Sequence, residues 1–161
     1  MKKMIVFLLA CSLYSCSKDQ GTSVTTSNWT VANITYGSKT IVLGTNDVRW
    51  YDVTNPGNAS VIDFITIEFS TSLPTVAGTY DIGGTGTAST YIKSISAVVN
   101  STSTNNKVMY LFDENTKTGT ATITINNGKR NLTFGSVPAN RMNGSNQLTG
   151  YGSISGHTLE F

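Results

Sequence analysis

The sequence predicts an all-β fold, and three observations carry that reading. Beyond residue 15, Ser, Thr and Asn fill 56 of the remaining 146 positions. Thr loses side-chain freedom in a helix, and Ser and Asn compete with the helix for backbone hydrogen bonds. No window of ten or more residues repeats its apolar positions with a 3.6 period. Instead, short alternating runs recur between clusters of Gly, Asn and Pro, as in strands joined by tight turns.

Taken in order, 17–27 is polar, lacks a core pattern and reads as a tether, so the domain begins near Asn28. Trp29 to Leu43 suggests a hairpin with Gly37-Ser38 as a two-residue turn, pairing Ile34 with Ile41. Val48 to Val53 is a strand closed by the turn sequence Asn55-Pro56-Gly57-Asn58. In Val61 to Phe69, the residues Ile65, Ile67 and Phe69 share one face, with Thr66 and Glu68 opposite. Gly78 to Ile82 is a short strand, and Gly83 to Ser89 a loop. Tyr91 to Val99 alternates with Ile95, Ala97 and Val99 inward, and Val108 to Phe112 follows.

The clearest local signal is Thr120 to Ile125, then Asn126-Asn127-Gly128-Lys129, then Arg130 to Phe134. Asn127-Gly128 suits a type I′ turn because both residues tolerate positive φ. That register sets Ile123 opposite Leu132 and Ala121 opposite Phe134. Ser136 to Asn146, which contains Pro138, reads as a loop. Leu148 to Phe161 supplies one strand or two short ones. About ten short strands point to a single antiparallel β-sandwich or flattened barrel over 28–161, with a closed lipocalin-like barrel as the alternative.

The N-terminus carries an address. Lys2 and Lys3 precede the apolar run Met4 to Cys11, and small residues lead to Cys16 before the polar Ser17-Lys18-Asp19-Gln20. The run is short of the roughly twenty residues that span a bilayer, so 1–15 reads as a signal peptide. Leu13-Tyr14-Ser15-Cys16 resembles the lipobox of bacterial lipoproteins, and Cys16 to Gln20 resembles the start of Bacteroidota-type lipoproteins. The resemblance implies cleavage before Cys16, its acylation, and an anchor in the cell envelope, at the periplasmic or surface face of an outer membrane. A competing site at Leu8-Leu9-Ala10-Cys11 would leave too short an apolar run upstream. The order of elements, from a Trp-led first strand to a Gly-Thr-x-Thr-Ile-Thr hairpin, is similar to small uncharacterised surface lipoproteins of Bacteroidota. That family brings no established activity.

The eleven Lys and Arg of the chain include Lys2 and Lys3, so from Cys16 onward nine face nine Asp and Glu. The sequence pI of 8.5 therefore belongs mostly to the leader, and no basic patch argues for nucleic acid. With Cys11 removed, Cys16 stands alone and no intrachain disulfide is available.

Little of the remaining chemistry converges. His157 is the one histidine and reads as an exposed strand-end residue. Asp113-Glu114-Asn115 is an oxygen-rich turn without the longer alternating ligand run of a calcium loop, and no metal or cofactor is expected. Two of Asp52, Asp63, Glu68 and Asp81 would have to face one cleft to form a glycosidase-type pair. In Arg49-Trp50-Tyr51-Asp52, alternation sends Trp50 to the core and leaves Arg49 and Tyr51 together as a candidate binding platform. The expected function is a membrane-anchored, non-catalytic β-domain for binding or display, with a glycan or protein ligand. A small carboxylate-dependent glycan hydrolase and a barrel carrying an apolar ligand are the alternatives.

Overall fold

The computed structural model describes residues 27–53, 62–84, 90–100, 107–112 and 117–161. Cys11, Cys16, the leader, most of the tether, the turn Asn55 to Asn58 and the segment Asp113-Glu114-Asn115 lie outside them. The all-β expectation is met with eleven strands: β1 (Asn28–Val31), β2 (Ile34–Gly37), β3 (Thr40–Leu43), β4 (Asp47–Tyr51), β5 (Phe64–Phe69), β6 (Gly78–Ile82), β7 (Ile92–Asn100), β8 (Lys107–Leu111), β9 (Gly119–Asn126), β10 (Lys129–Met142) and β11 (Leu148–Glu160).

Five of them, β6, β9, β10, β8 and β7, close into a ring. Its pairs are antiparallel except β6 with β7, which meet in parallel at Ile82 and Ile92. The strands β11, β1 and β2 extend from β10, and β5, β4 and β3 extend from β7. The closed element is thus a mixed five-strand barrel with extra strands outside it, so the expectation of a sandwich or flattened barrel is met as a barrel, while its purely antiparallel pairing is not. The ring closes through β10, which pairs with β9 over Lys129 to Phe134 and with β8 over Asn140 to Met142.

The expected hairpin at Gly37-Ser38 does not form. The turn falls at Ala32 and Asn33, both at positive φ (47° and 72°), so β2 folds back on β1 and Ile34 faces Val31. This register sets Tyr36 opposite Trp29, with rings stacked at 4.3 Å and 15°. A cross-strand aromatic pair of this kind outweighs a Gly-Ser turn signal. Ser38 and Lys39 then carry the chain from β2 to β3, donating their N–H groups to Ser27 O and Tyr51 O. There Ile41 meets Trp50. The two sets of flanking strands are joined by this two-residue link.

The alternation of β5 and β7 holds as expected. Ile65, Ile67 and Phe69 are fully buried, as are Ile95 and Ala97, in one core with Trp29 and Trp50. The hairpin of β9 and β10 has the expected register, Ile123 with Leu132 and Ala121 with Phe134. Its turn residues Asn127 and Gly128 sit at φ 52° and 79°.

Ser136 to Met142 is strand, not loop. Pro138 pairs within the β11 ladder opposite Ser153, in the interval where the other edge of β10 has left β9 and not yet met β8. A strand tolerates proline where one edge is bare. β11 is a single strand whose glycines make room for rings: a Cβ at Gly152 would lie 2.5 Å from Tyr110 Cε1, and one at Gly156 would collide with Phe134.

Trp50 ties the two flanks together. Its Nε1 donates to Glu160 O at 2.8 Å, and its ring meets Phe161 edge-on at 5.9 Å. Trp50→Ala removes a fully buried indole and is expected to cost about 3–5 kcal/mol in urea unfolding. Val at Gly128 is expected to cost about 1–3 kcal/mol, since a β-branched residue is strained at that φ. An unchanged midpoint in either variant would contradict the packing described.

Candidate functional site

Among the described residues, the candidate site is a groove at the end of the barrel where β1 turns into β2 and β10 into β11. Alternation on β10 turns Val137 and Ala139 into the core. Arg141 is next in that register, paired with Tyr110 on β8 and Gly150 on β11. A cation in the core-facing row, one step past the last apolar residue, emerges at the mouth of the barrel.

There it lines two adjoining depressions. One, of about 430 Å³, is bounded by Lys107, Val108, Arg141, Asn143, Ser145 and Thr149. The other, of about 120 Å³, shares Val108 and Arg141 and adds Tyr36, Asn100 and Tyr110. The mouth of a β-barrel is a common place for a ligand. The outer rim is held by its own turn. Asn143 Oδ1 accepts from the N–H groups of Ser145 (3.0 Å) and Gln147 (2.9 Å), and Asn143 N donates to Gln147 O. Arg141 Nη1 donates to Thr149 Oγ1 at 3.3 Å.

The electrostatics single this groove out. Among the described residues every Asp and Glu side chain is engaged. Asp47 pairs with Arg49, Asp52 with Lys39, Glu68 with Lys93, Asp81 with Lys117 and Glu160 with Lys129. Asp63 Oδ1 accepts from Asn100 N (2.7 Å) and Asn100 Nδ2 (2.9 Å). Arg130 lies 4.7 Å from the centre of the Phe161 ring and donates to Pro74 O. Lys107 and Arg141 are the described cations left without a carboxylate or a ring, and they share one groove.

The sequence singled out other residues. Arg49 and Tyr51 do share the face opposite Trp50, but Arg49 pairs with Asp47 at 3.4 Å. Tyr51 leans on Phe64 with ring centroids 5.4 Å apart. Asp52 and Asp63 are neighbours, through Asp52 N donating to Asp63 O. Glu68 lies at the far end of β5, with Lys93, Ser94 and Asn46, and Asp81 is on β6. None of the four carboxylates lines either depression. His157 is exposed, 3.4 Å from Ser155 Oγ. Among the described residues no three His, Cys, Asp or Glu gather to hold a metal ion.

Sequence reasoning missed Arg141 and Lys107. The signal was present in the alternation Val137, Ala139, Arg141, and the loop reading given to Pro138 concealed it. Comparison with family models, with curated proteins and with solved structures finds no match to this chain.

Burial raises the Tyr36 phenol above its ordinary value of 10.0, and the negative fields of Asp63, Tyr110 and Asp52 add to this in that order. The folded protein therefore holds this proton longer than the unfolded chain does. Stability carried by the neutral phenol is complete below about pH 10 and is lost as the pH rises through the raised value. Tyr36→Phe keeps the ring on Trp29 and is expected to flatten that alkaline loss in unfolding measured from pH 8 to 11. A decline of unchanged size would place its cause elsewhere.

Proposed function

We propose that this chain is a lipid-anchored protein of a bacterial cell envelope, held at the outer membrane through Cys16, whose β-domain binds a ligand without acting on it chemically. The observation that carries the binding role is the mouth groove, where Lys107 and Arg141 converge on a preformed rim with no carboxylate in the described lining. The lining offers cations, phenols, hydroxyls and amides, and no carboxylate, which favours recognition over acid–base hydrolysis. A hydrolase would have to rest on Asp52 and Asp63, which are already committed to Lys39 and Asn100. An apolar carrier is disfavoured because Ile95, Ala97, Tyr110, Phe134 and Ile154 fill the interior. The membrane is the first partner, and a glycan or a protein is the second. The two cations of the described groove fall well short of the roughly six to ten phosphate contacts of a nucleic-acid binder.

The anchor is tested by palmitate labelling in the native host. Cys16→Ser is expected to abolish labelling and release the protein from the membrane fraction, while Cys11→Ser leaves both intact. Labelling lost in Cys11→Ser and kept in Cys16→Ser would reverse the assignment. An array of glycans and proteins probed with the full-length chain tests the binding role.

A further inference from the structure

We infer that the mouth groove takes an acidic saccharide, with Arg141 and Lys107 meeting its carboxylate or sulfate groups; this rests on the binding role proposed above. Five ion pairs elsewhere engage Lys39, Arg49, Lys93, Lys117 and Lys129, whereas Lys107 and Arg141 share one groove with no carboxylate in its described lining. Low-dielectric walls of Val31, Val108 and Tyr110 sharpen their field toward the opening.

The two cations differ in what they offer. Arg141 is half-buried and fixed by Thr149, so its planar fork is pre-oriented for two-point contact with a carboxylate or sulfate. Lys107 is exposed, at the opening β8 residue opposite Asn100, and acts as a mobile point charge. The neutral groups around them suit sugar hydroxyls. Ser145 borders the larger depression, while the Thr149 hydroxyl there accepts from Arg141 Nη1 and donates to the Arg141 carbonyl. Asn100 and the phenols of Tyr36 and Tyr110 line the smaller one. Asn143 takes no part in recognition, because its amide is used in holding the rim turn. An ordered rim reduces the entropy lost on binding.

The test is calorimetric titration of the full-length chain in detergent micelles with four probes: trigalacturonate, its methyl ester, a sulfated chondroitin tetrasaccharide, and hexaglutamate. Binding of trigalacturonate or the sulfated tetrasaccharide is expected, weakening with salt, and whichever binds more tightly names the acidic group. The methyl ester and hexaglutamate should bind at least about tenfold more weakly than the better saccharide. Arg141→Gln should weaken that saccharide about tenfold, as loss of a charge-assisted contact does. Lys107→Ala, at an exposed site that does not endanger folding, should weaken it by about threefold to fivefold and reduce the salt dependence. Hexaglutamate binding as tightly as the saccharide would overturn the inference in favour of an acidic peptide. Failure of both acidic saccharides, or unchanged binding in Lys107→Ala and Arg141→Gln, would also overturn it. A ligand found on the array in that event would leave the binding role standing without this ligand class.

Discussion

Strand β10 has to satisfy three partners, and the architecture follows from how it does so. Its fourteen residues pair with β11 along most of their length, while the opposite edge serves β9 first and β8 afterwards. A strand can change partners on one edge only by bending, and β10 and β11 carry register shifts near Leu132, Phe134 and Arg141. Such bulges add twist and turn the strand. The ring of five closes around that bend. The same bend sends the end of β10 toward the mouth, which is why Arg141 stands beside Lys107 rather than in the packed interior.

The core is consistent with this geometry. β11 runs opposite the bent strand and supplies glycine where a ring must enter. Gly152 receives Tyr110, and Gly156 receives Phe134. The bulge near His157 and Thr158 puts Thr158 at φ 53°, an unusual conformation for a β-branched residue. Across the barrel, Trp50 reaches from β4 to the Glu160 carbonyl, and Ser27 Oγ accepts from Glu160 N at 2.8 Å. The end of β11 is therefore clamped by both flanks. Exposed ion pairs contribute little to such a fold, and burial of two indoles and a row of isoleucines contributes most.

Strand alternation was legible wherever one face is buried, because period two has a single interpretation there. β7, β9 and the end of β5 were read to within a residue, and the turn joining β9 to β10 was placed correctly. Two stretches were not. Gly37-Ser38 carries turn chemistry, yet the stacking of Tyr36 on Trp29 pulls the turn back to Ala32-Asn33. Pro138 suggests a break, yet the partner change leaves it a bare edge, a fact of tertiary pairing that no local window contains. The site was lost with that segment. Arg49 and Tyr51 were chosen by alternation alone, which gives the face they share but not the neighbours Asp47 and Phe64 that they meet there.

The dependence of fold and mouth on one bent strand is open to a direct measurement, amide hydrogen exchange along β10 in the native protein. Asn140, Arg141 and Met142 are ladder residues between β8 and β11, and the account expects their amides to exchange as slowly as those of Leu132 and Phe134, by global unfolding. If instead they exchange at the rate of an open loop while Leu132 stays protected, β10 ends near Pro138. The ring does not then close through β8, and Arg141 is not held at the mouth.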